Sequence, residues 1–516
     1  MEETPTPPPT EILATFSSPV DIDFEVQPAA QFAAELAPVL VVGVTRGGEP
    51  ALAAPLAGTE VAQHLAGLAR TAGFPGKRGE ARLVSNALPG LPRAVLLTGL
   101  GEKEQLDRLA AERAFAQAAR MLRGGEFPAV AVLPAIDGEL SHQLGPIVEG
   151  FLLGSYTCST YLSEASKKKA DPVKKVFVLA DGPAEEVAGR ILLSKIIARA
   201  TNLARELANA PGSDLNPPAF ADKILQLGNS IGIHSEVWKY KRIEAQGMGL
   251  LLAVGKGSVH EPRLVKMTYK PEGRPVGTVV LVGKGITFDT GGIDLKKREG
   301  MESMKGDKAG AAAVVATLLA CKEAKVPLRV IGILAIAENM PSSKSYKPGD
   351  VFKSASGKTV EVGDTDAEGR LILADALAYA STLECDAVID VATLTGSCAV
   401  GLGPQVAGLF SNDDQLAEQL MQASDEAGER LWPLPLEVLY RPEIDSDVAD
   451  LKNVASGRYG DAIHAANFLR EFVGSKPWAH LDIAGPSWTD EESPAAPTGA
   501  TGYGVRTLAN FLLLPR

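Results

Sequence analysis

The stretch LVGKGITFDTGGIDLK, from Leu281 to Lys296, decides the fold of this chain. An apolar, β-rich run from Thr278 to Val282 leads into it, and glycines then punctuate the segment that carries Lys284, Asp289 and Lys296. This pattern is typical of a buried parallel strand that ends in a loop at a functional site. We therefore predict a strand over the apolar run, followed by a loop that carries the two lysines and the aspartate.

A second stretch, GDTDAEGR from Gly363 to Arg370, carries a further group of charged residues about seventy positions after the first. It packs Asp364, Asp366 and Glu368 into five residues next to Arg370. Crowding like charges in this way costs several kcal/mol unless cations neutralise them. The segment is therefore either a solvated acidic turn or a cradle for metal ions.

Size and composition limit the class of protein. A chain of 516 residues, 45% of them hydrophobic, is long enough for two domains with large packed cores. Its net charge of -12 argues against general affinity for nucleic acid or acidic membranes, because such binding draws on clustered lysine and arginine. Its four cysteines form no CxxC pair, which predicts reduced core residues rather than a disulfide framework.

The amino terminus, MEETPTPPPT, has no basic region followed by an apolar run and no arginine-rich amphipathic helix. No window reaches the roughly 18 uncharged apolar residues that a membrane-spanning helix needs. We therefore expect a cytoplasmic location and no membrane or nucleic-acid partner. Residues 1–18, rich in proline and threonine, are predicted to be a disordered tail.

The remaining chain predicts an α/β fold in two domains. Short apolar runs alternate with segments of helical period over residues 19–182, which predicts a small N-terminal α/β domain. A long helix over residues 183–209 is expected to connect it to a larger domain over residues 210–516. In that domain the apolar runs show no polar alternation, so we predict a mostly parallel sheet flanked by helices.

Four acidic residues of the larger domain are candidates for one site. Asp289 follows a predicted strand, Asp307 precedes a predicted helix, and Asp366 and Glu368 precede another. In an open α/β sheet, such strand ends converge at one edge. The four carboxylates carry a charge of about -4, which two divalent cations would balance. The six histidines show no HExxH or paired spacing, so carboxylates are the expected ligands.

Two metal ions in such a site can lower the pKa of a bridging water to about 7, which supplies hydroxide at neutral pH. This chemistry predicts a hydrolase. Lys296 and Arg370 are the candidates that stabilise the anionic intermediate. Lys284 could ligate a metal only as a neutral amine, and bringing its pKa from about 10.4 to below 7 costs roughly 4 to 5 kcal/mol. An ordinary ion pair is the alternative role for Lys284.

Long, specific motifs surround these residues, and together they resemble the leucyl aminopeptidase (cytosol aminopeptidase) family. The resemblance covers nearly all of the chain from Ala200 to the end and is looser before it. The motifs that carry it are VGKGITFDTGGIDLK, MKGDKAGAAAV, ENMPSSKSYKPGDV, DTDAEGRLILADAL, ATLTG and WAHLDIAG.

The resemblance implies a metal-dependent aminopeptidase that releases the N-terminal residue of peptides, preferentially leucine and other apolar residues. Two divalent ions per subunit, zinc or manganese, would supply the bridging hydroxide. Lys296 would polarise the scissile carbonyl, and Arg370 would anchor a bicarbonate that acts as general base. The implied metal ligands are Lys284, Asp289, Asp307, Asp366 and Glu368.

The resemblance also implies a pocket for the substrate's first side chain and a homohexamer whose active sites face an interior cavity. The implied pocket residues are Met304, Thr393, Leu394 and Gly396. Three residues depart from the family pattern, which usually has Asn at Asp364, an apolar residue at Lys308, and Ser or a similar residue at Asp294. We expect Asp364 and Lys308, which bring opposite charges, to compensate one another.

Two other classes stay open at this point. A catalytically silent homologue could serve as a structural or binding protein, but the chain retains all the proposed ligands together with Lys296 and Arg370. A two-metal phosphohydrolase would cleave phosphate esters, and the lack of paired histidines argues against it.

Overall fold

The computed structural model divides the chain into two compact units, each built around its own sheet. Of the residues that it describes, one unit holds those up to 202 and those between 490 and 498, and the other holds 203–489 and those from 499 onward. The disordered tail predicted over residues 1–18 lies outside the described residues. Those residues are 20–52, 59–135, 140–169, 171–180, 183–457, 459–493 and 496–514.

The first unit is a seven-stranded, mostly parallel sheet with helices, as its alternating pattern predicts. Its strands, in order across the sheet, are Asp23–Gln27, Lys175–Leu179, Ala129–Val132, Val39–Thr45, Ala94–Gly101 and Ala81–Ser85, with Glu49–Pro50 paired to Val39–Thr45. Its helices are Glu60–Thr71, Arg108–Met121, Leu140–Gly154 and Glu164–Lys168. Short 3-10 turns lie at Ala29–Gln31, Ala34–Leu36 and Lys103–Gln105.

The strand Val39–Thr45 of this first sheet is buried on both faces. In the strand Val39–Thr45, Val39 and Val41 pack into one hydrophobic cluster, and Leu40 and Val42 pack into another. Successive side chains of a strand point to opposite faces. A strand covered on both faces therefore reads as the continuous apolar run VLVVGV rather than as an alternating one.

The helix Ala184–Asn209 contains the boundary between the units, and the second unit is an eight-stranded sheet. Its strands, in order, are Arg430–Pro433, Val406–Ser411, Trp478–Asp482, Ala387–Ala392, Thr278–Asp289, Arg329–Asn339, Arg263–Tyr269 and His234–Trp238. The four from Trp478–Asp482 to Arg329–Asn339 are parallel to one another. The predicted fold class is confirmed, whereas the predicted domain limits stay a prediction.

Helices and smaller elements surround this second sheet. The helices are Pro217–Ser230, Tyr240–Ala245, Gly249–Gly255, Ala309–Glu323, Glu368–Ser381, Gly396–Leu402, Asp414–Ala427, Asp461–Arg470 and Val505–Leu513. The 3-10 turns are Met301–Gly306 and Val438–Ile444. The minor strands are Val351–Lys353, Thr359–Glu361, Leu451–Lys452, Trp488–Thr489 and Gly499–Ala500. Within the ranges given above, every helix is too short or too polar to span a bilayer.

The central strand of the second sheet is longer than the sequence predicts. It runs from Thr278 to Asp289, so Lys284 lies within the strand and not in a loop after Val282. The glycines that suggested a loop serve close packing: a Cβ on Gly283 would lie 2.6 Å from the Cα of Ala311, in the helix that covers this face. The prediction of an early loop is therefore wrong, because glycine here reflects a neighbouring backbone rather than a turn.

Candidate active site

Three carboxylates meet at the carboxyl end of the central strand. Asp289 is the last residue of the strand Thr278–Asp289, and Glu368 is the first residue of the helix Glu368–Ser381, with Asp366 just before it. Oxygen atoms of these three residues lie within 4.8 Å of one another. The topology therefore brings the motifs LVGKGITFDTGGIDLK and GDTDAEGR together in one acidic site.

Lys284 is buried among the carboxylates. Its Nζ lies 2.8 Å from Asp307 Oδ1, 2.9 Å from Glu368 Oε1 and 2.8 Å from the carbonyl oxygen of Thr393. The close approach requires a glycine at position 369, where a Cβ would lie 2.6 Å from the lysine Cε. All three N–H bonds of the ammonium therefore have an acceptor.

The pKa of Lys284 lies above the ordinary lysine value. Burial alone would lower this pKa, but the negative charges of Asp307, Glu368 and Asp289 outweigh burial. The residue is thus an ammonium in the structure, and the neutral amine that metal ligation requires would form only if those carboxylates were shared with cations.

Lys296 lies on the other side of the cluster. Its Nζ is 2.8 Å from Asp289 Oδ2 and 2.6 Å from Asp366 Oδ1, while 23% of its side chain is exposed. The turn that returns it to the strand end has Gly291 at φ +85°, and the Lys296 N–H donates to the Thr290 carbonyl. Burial alone would lower the pKa of Lys296, but the charges of Asp289 and Glu368 raise it, so the ammonium persists.

Asp307, Asp366 and Glu368 hold their protons more tightly than ordinary carboxyls do. Burial, and then the charge of Asp289, raises the pKa of Asp366 to about 6 and that of Glu368 to about 8. Burial also raises the pKa of Asp307, against the opposing charge of Lys284. Bringing these anions together is costly, which is the condition under which a cation binds.

The residues fit divalent metal ions. If all ionise, Asp289, Asp307, Asp366 and Glu368 contribute -4 and the two lysines +2, which leaves -2. Within the described part of the chain, Asp307 Oδ2 and Glu368 Oε2 are buried and have no hydrogen-bond partner. Unpartnered buried carboxylate oxygens in a net negative site are suitable ligands for hard or borderline divalent ions.

The four predicted pocket residues lie on neighbouring segments. Met304 is part of the 3-10 turn that precedes Asp307, and Gly396 begins the helix Gly396–Leu402. Thr393 Oγ1 donates to Asp307 Oδ1 at 2.6 Å. The Leu394 N–H donates to Asp482 Oδ1 at 3.3 Å. Thr393 therefore contacts Asp307, one of the predicted metal ligands, directly.

Arg370 is directed to partners that the sequence did not suggest. Its Nη1 donates to the Asn453 carbonyl at 2.8 Å, and its Nη2 donates to Asp461 Oδ1 at 3.0 Å. Ser397 Oγ donates to the other oxygen of Asp461 at 2.9 Å. The buried Arg370 Nε has no partner among the described residues, so this N–H can serve a further acceptor.

The two departures that carry opposite charges have separate hydrogen-bond partners. Lys308 is fully buried, and its Nζ donates to the carbonyls of Ala210 at 2.7 Å, Ala208 at 3.2 Å and Lys305. Asp364 instead accepts the N–H of Asp366 at 2.7 Å. The expectation that their charges compensate one another near the proposed metals therefore stays a prediction.

Sequence reasoning missed the roles of three residues that hold the site together: Asn339, Thr365 and Asp294. Asn339 Nδ2 donates to Asp289 Oδ1 at 2.8 Å, and Asp294 Oδ2 accepts the Thr365 N–H at 2.9 Å. A signal for Asn339 was present, because it ends a buried apolar run just as Asp289 does. Thr365 and Asp294 had no such signal.

In comparisons with known proteins, both units match models of the same family. Family models described as the N-terminal domain and the catalytic domain of the cytosol aminopeptidase family match residues 41–165 and 202–509. A probable cytosol aminopeptidase of Roseiflexus castenholzii is 45% identical over 432 residues, 83% of this chain and 88% of the relative. Another, of Geobacter sp. (strain M21), is 42% identical over 447 residues, 86% of this chain and 90% of the relative.

A solved structure is similar along almost the whole length of the chain. The bottromycin maturation enzyme BotP in complex with Mn has a TM-score of 0.80 and 38% sequence identity, and the match covers 92% of this chain and 99% of that one. The similarity of fold therefore extends through the region that holds the acidic cluster.

Proposed function

The chain belongs to the cytosol aminopeptidase family, and from that premise we propose that it releases the N-terminal residue of peptides, preferentially leucine and other apolar residues. The observation that carries the proposal is the cluster of Asp289, Asp366 and Glu368, whose oxygens lie within 4.8 Å of one another between two lysines. The family is metal-dependent, and the unpartnered oxygens described above suit cations.

Two divalent ions per subunit are part of the proposal, and manganese is favoured by the Mn-bound relative, with zinc as the alternative. The proposed ligands are Lys284, Asp289, Asp307, Asp366 and Glu368. When bound, the ions would supply a nucleophilic hydroxide from a bridging water at neutral pH and would polarise the peptide carbonyl.

The two lysines have different capacities in this site. Lys284 uses all three N–H bonds of its ammonium on Asp307, Glu368 and the Thr393 carbonyl, and it would ligate a metal only as the neutral amine, so it is not the proposed donor to substrate. Lys296 uses two of its three on Asp289 and Asp366 and is partly exposed. Its third N–H is therefore the proposed donor to the carbonyl oxygen on which negative charge develops.

Peptide selection is proposed to depend on the free amino terminus. As a neutral amine it would ligate one of the two ions, while the adjacent carbonyl would reach the other. Met304, Thr393, Leu394 and Gly396 are the proposed lining of the pocket for the first side chain. The unpartnered Nε of Arg370 leaves one buried donor for the proposed bicarbonate, which would act as general base.

The remaining parts of the proposal come from the family. A homohexamer is proposed, and the word cytosol in the names of the relatives supports a cytoplasmic location. The larger unit is the proposed catalytic domain, and the helix Ala184–Asn209 is its connection to the smaller one.

The test is hydrolysis of leucine p-nitroanilide by the purified, metal-stripped protein, before and after Mn²⁺ or Zn²⁺ is added. The N-acetylated substrate is the matched control, because it lacks the free amino terminus. Turnover that requires metal and a free amine is expected. Failure with every aminoacyl anilide, or cleavage only of p-nitrophenyl phosphate, would refute the proposal.

Variants then test the ligand assignment. Glu368→Gln and Asp366→Asn should each lower metal-dependent activity by at least about 100-fold, because a neutral amide oxygen lacks the negative charge with which a carboxylate holds a divalent ion. Glu384→Gln, at an exposed position, is the control and should retain activity. Full turnover in either site variant contradicts the assignment.

A further inference from the structure

Asn339 lies between the two motifs that form the acidic cluster. It is the last residue of the strand Arg329–Asn339 and is fully buried. One amide nitrogen serves both motifs: Nδ2 donates to Asp289 Oδ1 at 2.8 Å and to the Thr365 carbonyl at 3.0 Å. Because Thr365 immediately precedes Asp366, this single side chain ties the two halves of the cluster together.

The bond to Asp289 sets the rotation of its carboxylate. Oδ1 also accepts the Gly291 N–H at 2.9 Å, so two donors hold that oxygen. Oδ2 is thereby left facing Lys296, toward the interior of the cluster. Thr290, which follows the central strand, holds Asn339 in turn. Its N–H and its hydroxyl donate to the Asn339 carbonyl at 3.0 Å and 2.8 Å.

The orientation of the amide itself is determined by its surroundings. Its Nδ2 faces a carboxylate oxygen and a carbonyl oxygen, which accept but do not donate. Its Oδ1 is buried with no partner in the described residues, and a Cβ on Gly292 would lie 2.9 Å from it. A residue without the amide donor cannot reproduce this link.

We propose that Asn339 is a positioning residue that fixes Asp289 relative to the loop of Asp366 and so sets the affinity of the site for divalent cations. The inference rests on the proposed function in that these carboxylates hold metal. It needs no assumption about the substrate. Outer partners that orient ligating carboxylates contribute to metal affinity although they do not touch the metal.

The test measures Mn²⁺ binding to the metal-stripped, full-length protein by isothermal titration calorimetry. Asn339→Ala should weaken binding by about 10- to 100-fold, since Asp289 loses one of its two N–H donors. Asn339→Leu, which has a similar size but no donor, should weaken it by a similar factor, because Asp289 Oδ1 again loses the amide N–H. Circular dichroism of both variants establishes that they are folded.

Tyr346→Phe is the matched control. Tyr346 Oη donates to the same Thr365 carbonyl at 2.7 Å but does not contact Asp289. This variant should lose stability yet bind Mn²⁺ within about threefold of the wild type, because both donors to Asp289 remain. If Asn339 had a purely structural role, Asn339→Ala and Tyr346→Phe would instead have the same effect on Mn²⁺ affinity.

Two results would overturn the inference. One is wild-type Mn²⁺ affinity in both Asn339 variants; the other is an equal loss of affinity in Tyr346→Phe. If the wild type binds Mn²⁺ but cleaves no peptide, only the proposed function fails. If the wild type binds no Mn²⁺, both fail.

Discussion

Asp375 is a buried carboxylate on the helix that begins with Glu368, and replacing it by asparagine should change how stability depends on pH. Asp375 Oδ2 accepts the N–H groups of Leu250 and Leu251, both at 2.9 Å, and Oδ1 accepts that of Ala355 at 2.7 Å. It thus caps the helix Gly249–Gly255, whose own N-cap residue makes no side-chain hydrogen bond.

The magnitude follows from the pKa of Asp375. Burial raises this pKa from 3.8 to about 7, although the three N–H donors oppose the rise. Below about pH 4 both the folded and the unfolded states hold the proton, whereas between about 4 and 7 only the folded state does. The folded state therefore loses relative stability as pH rises through this window, by about 4 kcal/mol in total at about 1.4 kcal/mol per pH unit.

The assay is urea unfolding of the wild type and of Asp375→Asn at pH 5 and pH 8, in EDTA so that metal does not contribute. Asparagine does not titrate, so the free energy of unfolding of the wild type relative to the variant should fall by about 3 kcal/mol between the two pH values. Asp222→Asn, at an exposed position, is the control and should show no such change. A constant difference between wild type and Asp375→Asn would show that Asp375 is already ionised at pH 5 in the folded protein.

Three further perturbations have directions that the structure determines. Gly283→Val should destabilise the protein by at least about 3 kcal/mol in urea unfolding, because its Cβ would lie 2.6 Å from Ala311 Cα, whereas Gly401→Ala, with open space around it, should be tolerated. Lys308→Met should cost about 3 kcal/mol in the same measurement, because it leaves the carbonyls of Ala208, Ala210 and Lys305 without this donor, and a wild-type midpoint would contradict this. Removing metal with EDTA should lower the thermal midpoint reversibly, and Mn²⁺ at 100 times its dissociation constant should restore about 2.7 kcal/mol; an unchanged midpoint would count against a metal bound to the folded state.

Residue types and their local pattern were sufficient to predict the fold class. Continuous apolar runs such as VLVVGV and LRVIGILAIA predicted strands covered on both faces, and the structure confirms the α/β class with mostly parallel sheets. The acidic cluster could be anticipated because Asp289, Asp366 and Glu368 each sit where a strand or helix begins or ends. The ends of strands and helices can be predicted largely from the residues next to them in the chain.

The length of the central strand could not be predicted from the same pattern. Gly283 reads locally as a loop former, yet it lies inside the strand because the backbone of the helix Ala309–Glu323 packs against it. A glycine that permits close approach and a glycine that forms a turn look identical in sequence. Only the position of the covering helix distinguishes them.

By itself the sequence determined which chemistry this protein carries: acidic and basic residues in two motifs, one at the end of a predicted strand and one before a predicted helix. The tertiary structure alone decided the partners of those residues. Asn339 reaches Asp289 from 50 positions away, Arg370 meets Asp461 across 91, and Asp375 caps a helix 125 positions earlier. The physical reason is that periodicity and turn chemistry act over a few neighbouring residues, whereas a hydrogen bond between distant segments exists only after packing has set their distance and direction.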